Sequence, residues 1–304
     1  MIPNRWRDLA RRDIFEPLGL NGSYFIPNAH NRAHVAVASK YSDEVDIDFL
    51  DVMACSGGQM SSLSDYIKLM QTFLDPTLPQ SLLPAHIMRE WMTPVFGFND
   101  DETEVGLLWE IVKIQDSYCR PVRVYEKNGV LGASRSVFAI HREMAFGVAL
   151  LNTGTATVTG NIALEIFRIM QPYLDKLQER KVKERFAGHW RLPLQTNATS
   201  GSMVDISVSD GSLWITRLVL NGTDVLSLTE AMPAFGGARS RRVALWSMRR
   251  DEFRMVLGAG AATSCMSSWT AMDSGFSRGY PMDLVYFKGG RLHIPSAGVV
   301  LVRA

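Results

Sequence analysis

The spacing of apolar residues divides the 304-residue chain into a mixed first part and a strand-rich last part. Apolar residues at helical spacing predict helices over 6–15, 63–74, 82–92 and 161–174. Strand-like segments lie between the last two helices, over 105–114, 121–126, 136–141 and 145–151. Helices followed by an antiparallel strand set and then a packing helix indicate an α+β sandwich.

Two local signals predict where helices begin and end in the first part. Pro17 cannot continue a helix and Gly19 supplies a turn, so the first helix is expected to end at Phe15 and to be closed by the segment 16–20. Ser62 followed by Asp65 resembles a capping box, in which hydroxyl and carboxylate satisfy the free backbone donors of a helix start.

After a charged stretch, the sequence pattern predicts a series of short strands. Segments with strand character cover 204–208, 213–219, 243–248, 253–257, 284–287, 291–294 and 299–302. The turn at Asp210-Gly211 between the first two is typical of a hairpin. We therefore expect a domain over 1–176, a linker over 177–185, and a small all-β barrel or sandwich over 186–304.

Composition narrows the possible partners. The formal net charge is +1 with acids and bases interspersed, which argues against nucleic-acid binding. No apolar run is long enough to span a bilayer, and the polar start has no signal-peptide core. The chain as written is expected in the cytoplasm, or outside the cell if the natural chain extends upstream. The sequence leaves the oligomeric state open, and its three cysteines are expected to be buried free thiols.

The candidate chemistry lies in the segment 126–134, Glu-Lys-Asn-Gly-Val-Leu-Gly-Ala-Ser. A Lys-x-Gly sequence on a strand can form one wall of a serine acyl-transfer site. Lys-Asn-Gly is also a good type I′ hairpin turn, so a plain turn is the competing interpretation.

The nucleophile that such a wall serves is not evident. No Ser-x-x-Lys spacing, Tyr-x-Asn or Ser-x-Asn occurs in the chain, and Ser64 with Lys68 is one residue too long. Ser62 and Ser64 are conceivable substitutes, but helix capping is their simpler role.

No metal or cofactor is expected. His30 and His34 are four residues apart, but they lie in a predicted loop without a carboxylate triad. The acidic residues of 43–48 and 100–102 lack the spacing of a calcium loop and are expected to be solvated.

Four landmarks in order resemble those of class C β-lactamase-like serine hydrolases. They are the Asp-Ile-Phe-Glu-Pro-Leu-Gly stretch within 13–25, the Gly-Gly entry to a helix within 56–66, the Gly-Leu-Leu-Trp of 106–109, and the Lys-Asn-Gly-Val-Leu-Gly of 127–132. Together they cover residues 1 to about 175. The last 120 or so residues resemble a small β domain carried by some fungal secreted relatives.

The resemblance implies a β-lactamase/transpeptidase-like fold and an acyl-serine mechanism on an ester, lactone or amide. It assigns positive charge at the site to Lys127, an oxyanion-binding backbone N–H to Val130, substrate hydrogen bonding to Asn128, and close approach of the acyl group to Gly129 and Gly132.

In this family, the nucleophile and the Tyr base precede the stretch 13–25, so the resemblance implies a chain truncated at its N-terminus and lacking its nucleophile. It further implies a hydrolase or acyltransferase with a place in fungal secondary metabolism. The alternative is a non-catalytic pseudoenzyme or binding module.

Overall fold

The structure is a computed structural model that describes residues 5–38, 44–154, 159–193, 201–231, 242–256 and 275–304. The chain divides into two compact units, Met1–Leu174 and Asp175–Ala304. The first unit contains helices and one sheet, and the second is built mainly of strands.

Seven α-helices are described. They are α1 Trp6–Ala10, α2 Glu16–Leu18, α3 Leu50–Gly57, α4 Leu63–Leu74, α5 Ala85–Trp91, α6 Thr159–Phe186 and α7 Val225–Ala231. Short 3-10 turns cover Arg32–His34, Glu44–Asp46 and Pro295–Ala297. Neither α3 nor α7 is predicted from the sequence.

The first helix extends past its predicted end at Phe15, so the expectation that Pro17 stops it was wrong, whereas the turn predicted at Gly19 is present. A π-helical turn, Arg11–Phe15, joins α1 to α2, and Pro17 is the second residue of α2. The helix ends instead at Gly19, whose φ of 61° lies in the left-handed region.

The predicted cap of α4 is confirmed in its first half. The Ser62 hydroxyl accepts a hydrogen bond from the Asp65 N–H at 3.2 Å. The Asp65 carboxylate does not return to Ser62; it accepts from the N–H of Gly22 at 2.7 Å and from the Ser23 hydroxyl at 2.9 Å. The buried carboxylate thus fastens the segment after α2 to the start of α4.

A six-stranded antiparallel sheet forms the centre of the first unit. Its strands follow one another in chain order: β1 Phe96–Gly97, β2 Thr103–Val105, β3 Glu110–Gln115, β4 Pro121–Leu131, β5 Ser134–His141 and β6 Phe146–Thr153. The sequence predicts the last four of these strands. It underestimates the length of β4, which continues five residues beyond the predicted end.

Both faces of this sheet are buried. One face, with Trp109, Tyr125 and Phe138, packs with apolar residues of α4 and α5. The other face, with Val124 and Val137, packs with Ala163 and Phe167 of α6 and other apolar side chains. Helices on both faces of one antiparallel sheet agree with the predicted α+β sandwich.

The predicted linker over 177–185 is helical. The helix α6 extends without a break from Thr159 to Phe186, although the apolar pattern predicts an end at Leu174. Charged residues dominate its last part, which hides the helical periodicity in the sequence.

Eight strands of the second unit close into a barrel. Taken around the barrel, they are β9 Ser212–Leu220, β11 Val243–Arg249, β12 Glu252–Val256, β15 Leu284–Lys288, β16 Arg291–Ile294, β17 Val299–Arg303, β7 Gly188–Arg191 and β8 Met203–Ser209. The closing pair is β8 with β9, joined through the predicted Asp210-Gly211 turn. Of the two predicted architectures, barrel or sandwich, the structure has the barrel.

Three further short strands are present among the described residues of the second unit. They are β10 Thr223–Asp224, which pairs with β9, and the separate pair β13 Phe276–Ser277 and β14 Tyr280–Pro281. Apolar side chains fill the barrel, among them Trp190, Ile215 and Leu301.

The structure bears on two smaller expectations, one about membrane-spanning helices and one about the cysteines. None of the described helices is both long and apolar enough to cross a membrane. Cys55 and Cys119 are exposed, so the expectation of buried thiols was wrong for these two. Cys265 lies outside the described residues.

Candidate active site

The Lys-Asn-Gly sequence lies within a strand. Lys127, Asn128 and Gly129 pair with Phe138, Val137 and Ser136 of β5, and the chain turns only at 132–133. The interpretation of 127–129 as a hairpin turn was therefore wrong. The strand geometry that an acyl-transfer wall requires is present.

Both glycines of the segment occupy positions that exclude a side chain. Gly129 faces Ser136 so closely that a Cβ would overlap the Ser136 hydroxyl. Gly132 has φ +55°, and its Cβ would overlap the Glu44 carboxylate. That carboxylate accepts a hydrogen bond of 2.8 Å from the Ala133 N–H, which holds the turn against the segment around Glu44.

One edge of β4 is open at the candidate site. The pairing of β3 with β4 ends at Glu110 opposite Glu126, so among the described residues 127–131 pair only with β5. Val130 lies on this part of the strand with 69% of its surface exposed. An open strand edge leaves backbone N–H groups for a ligand, as an oxyanion site requires.

Glu110 joins Lys127 to Asn128. The Lys127 ammonium forms an ion pair with Oε1 of Glu110, and the Asn128 amide donates to Oε2 of the same carboxylate at 2.7 Å. Burial acts to raise the pKa of Glu110, but the hydrogen bonds from Lys127 and Asn128 outweigh it and lower that pKa. Glu110 is therefore ionised at neutral pH and orients both side chains.

Glu126 forms a second, buried carboxyl beside this group. It is 3% exposed, and its Oε2 lies 3.5 Å from the Asn128 amide nitrogen. Its Oε1 has no hydrogen-bond partner among the described residues. Burial, with the nearby Glu110 charge, raises its pKa to about 7 despite the Asn128 hydrogen bond.

Sequence reasoning missed both glutamates. Glu126 directly precedes Lys127 and Glu110 directly follows Trp109, so each borders a landmark. Their meeting depends on the register of β3 with β4, which local patterns do not reveal.

One of the two substitute serines, Ser62, caps α4. The Ser62 hydroxyl caps the helix, and the Lys68 ammonium donates to the Gly19 carbonyl at 2.6 Å and lies 3.6 Å from Asp65. Lys68 is thus held against the loop that follows α2. This arrangement favours the capping role of Ser62.

The two histidines considered as metal ligands do not form a helical pair. His34 lies in the 3-10 turn Arg32–His34 and His30 precedes it in a different turn, so the two do not share a helix face. No group of three or more His, Cys, Asp or Glu residues suited to a metal ion occurs in the part of the chain that the structure describes.

Comparison with known proteins decides the family. A family model described as Beta-lactamase matches residues 4–166, more than half of the chain. The chain belongs to the β-lactamase family. The match includes the Lys-Asn-Gly strand and all five site residues expected from the sequence. A β-lactamase/transpeptidase-like domain followed by a closed barrel confirms the predicted fold class.

A curated relative of this β-lactamase-family chain is a probable hydrolase M10 from Phoma sp., 25% identical over 222 residues. The alignment covers 72% of this chain and 35% of the relative. The chain therefore spans about a third of that protein's length.

Two solved β-lactamase structures are similar in part. A class C beta-lactamase aligns with TM-score 0.44 and 16% identity over 53% of this chain and 50% of its own. A beta-lactamase/D-alanine carboxypeptidase from Yersinia pestis, complexed with citrate, aligns with TM-score 0.43 and 19% identity over 56% and 49%.

Proposed function

We propose that the first unit forms the substrate-binding wall of a serine acyl-transfer site that acts on small esters, lactones or amides. The observation that carries this proposal is the placement of Lys127 and Asn128 side by side at the open edge of β4, both bound to Glu110. Membership of the β-lactamase family supports it.

Each residue then has a role that follows from its position. The Lys127 ammonium, about half exposed, attracts an anionic substrate group and places positive charge beside the reacting centre. The Asn128 side chain hydrogen-bonds the substrate. The Val130 N–H binds the carbonyl oxygen as negative charge develops on it, and Gly129 and Gly132 keep the strand and turn free of side chains.

The covalent step requires a serine hydroxyl to attack the carbonyl carbon, release the alcohol or amine, and leave an acyl-serine that water or another acceptor resolves. A fluorophosphonate probe reports such a serine. A one-probe increase in intact mass, abolished by replacing the serine that peptide mapping identifies, would assign the nucleophile to this chain although its sequence has no Ser-x-x-Lys spacing.

Binding is tested separately from covalent chemistry. Lys127→Met and Asn128→Ala are each expected to weaken binding of a carboxylate-bearing ester about tenfold, a loss typical of a charged hydrogen bond. Lys176→Met removes a lysine on the exposed surface of α6 and serves as the matched control. Equal affinity in all variants would contradict the proposed role of the strand edge.

A second candidate function is a non-catalytic binding module. The absence of a Ser-x-x-Lys spacing from the sequence, together with the attachment of Lys68 to Gly19 and Asp65, favours it. A chain that binds the ester, depends on Lys127 and gains no probe mass would support this function over the catalytic one.

The proposal extends to the reaction and its biological setting. The relative from Phoma sp. is named a probable hydrolase, which supports hydrolysis. Acyl transfer to an acceptor other than water, and a place in fungal secondary metabolism, have the sequence resemblance as their support. Product analysis with added alcohol or amine acceptors distinguishes transfer from hydrolysis.

A further inference from the structure

The candidate site contains a pair of carboxyl groups that its proposed chemistry does not use. Glu110 and Glu126 are direct register partners on β3 and β4. Like charges placed directly opposite on neighbouring strands repel each other. The pair is stable only where one carboxyl is neutral or both are well solvated, and Glu126 is buried.

The surroundings determine which carboxyl holds the proton. Glu110 accepts from both Lys127 and Asn128, so its ionised form is stabilised. Glu126 receives only the long 3.5 Å contact from Asn128. Burial without strong donors favours the neutral form of a carboxyl.

Few other charged groups act on Glu126. Its partner on β5 is Ala139, and α6 packs on this face of the sheet through Ala163 and Phe167. The Glu110 carboxylate places a negative charge opposite Glu126. Lys127 affects Glu126 indirectly, through its ion pair with Glu110.

We propose that Glu126 is a positioning residue of the site. When Glu126 is a neutral acid, the Asn128 amide and the Lys127 ammonium stay bound to Glu110. When Glu126 is a carboxylate, it draws the Asn128 amide away from Glu110. This proposal rests on the proposed function for one point only, namely that Asn128 and Lys127 contact the substrate. It makes the geometry of the strand edge depend on pH near neutrality.

The first test follows protons and needs no substrate. In the full chain labelled with ¹³C at the glutamate carboxyl, we expect one carboxyl signal to titrate near pH 7 and to be missing from Glu126→Gln. The side-chain amide signals of Asn128 are expected to shift with the same midpoint in the wild type and to stay constant in Glu126→Gln. A Glu126 signal that titrates near 4.5, the ordinary glutamate pKa, would overturn the proposal.

The second test follows binding of the carboxylate-bearing ester against pH. The wild type is expected to lose affinity about tenfold, the equivalent of one pKa unit of interaction, as pH rises through 7. Glu126→Gln is expected to keep the low-pH affinity throughout, which a merely structural role would not produce. Glu143→Gln, at an exposed turn, is the matched control.

The two proposals fail in different ways. If no variant binds the ester but the amide of Asn128 still follows Glu126, the proposed function fails and the positioning role stands. If the ester binds with the same pH profile in the wild type and Glu126→Gln, the positioning role fails and the function stands.

Discussion

Ser136 lies against Gly129, its register partner across β4 and β5, with its hydroxyl where a Gly129 side chain would be. Burial raises the pKa of the Tyr66 hydroxyl on α4, and the interaction of Tyr66 with the Ser136 side chain acts against that rise. The serine thereby links the Lys-Asn-Gly strand to the helix that covers the sheet.

Gly129→Ala is expected to lower the free energy of unfolding of the first unit by about 1–3 kcal/mol, because the added methyl group overpacks the contact with Ser136. Ser136→Ala in the same chain should restore part of that loss, since the Ser136 Cβ is 3.7 Å from the built methyl position. Urea unfolding measures both. Equal losses in the two backgrounds would show that Ser136 is not the obstacle.

Stability is expected to fall between about pH 4.5 and 7. Glu126 has a pKa of about 7 in the folded chain and near 4.5 ordinarily, so the folded state holds its proton over a range where the unfolded state has lost it. Rising pH removes that contribution, which totals at most about 3 kcal/mol and is lost above pH 7.

The measurement is the urea midpoint at a series of pH values. Glu126→Gln cannot ionise, so its midpoint is expected to vary less over this range, and the difference between the two curves isolates Glu126. Parallel curves would mean that Glu126 is ionised in the folded protein at neutral pH.

Asp65 is expected to matter more for stability than its neighbouring serines. Asp65→Asn leaves the Gly22 N–H and the Ser23 hydroxyl without a charged acceptor, at a cost of about 1–3 kcal/mol. Ser62→Ala removes the cap and should cost about 1 kcal/mol. Ser64→Ala is the control, with a change within about 0.5 kcal/mol. Hydrogen exchange at the Gly22 amide should accelerate only in Asp65→Asn.

The barrel contains a buried ion pair whose disruption is expected to be costly. Arg254 contacts Asp283 at 2.6 Å, and Asp283 is 1% exposed. Arg254→Met leaves a buried charge unpaired, with an expected loss of about 3–5 kcal/mol in the second unit. Arg254→Met with Asp283→Leu should recover much of this loss in thermal unfolding. Failure to recover any would indicate that packing, not charge, dominates.

Lys127→Met is expected to change stability by less than about 1 kcal/mol, because its ion pair with Glu110 is about half exposed. Thermal unfolding checks this value. If the change in stability is small, a loss of ester binding in this variant can be attributed to the lost substrate contact and not to unfolding.

Much of the fold was predictable from periodicity and turn chemistry. The helix α4 and its Ser62 cap, the strands β3 to β6 and the Asp210-Gly211 hairpin follow from signals within a few residues. The errors have local causes: Pro17 is tolerated in a first helical turn, and the charged end of α6 lacks an apolar stripe. The placement of 127–129 in a strand depended on pairing with β5, which competes with the turn preference of Lys-Asn-Gly.

The sequence by itself determined the α+β class, the strand-rich last part and the family landmarks around Lys127, because these rest on residue identity and on spacing within one element. Only the tertiary structure decided that β8 and β9 close a barrel, that β4 has an open edge, and that Glu110 and Glu126 face each other beside Asn128. Strand register brings residues far apart in the chain within contact. Burial then sets the charge state of their side chains. Neither strand register nor burial can be deduced from the local sequence pattern.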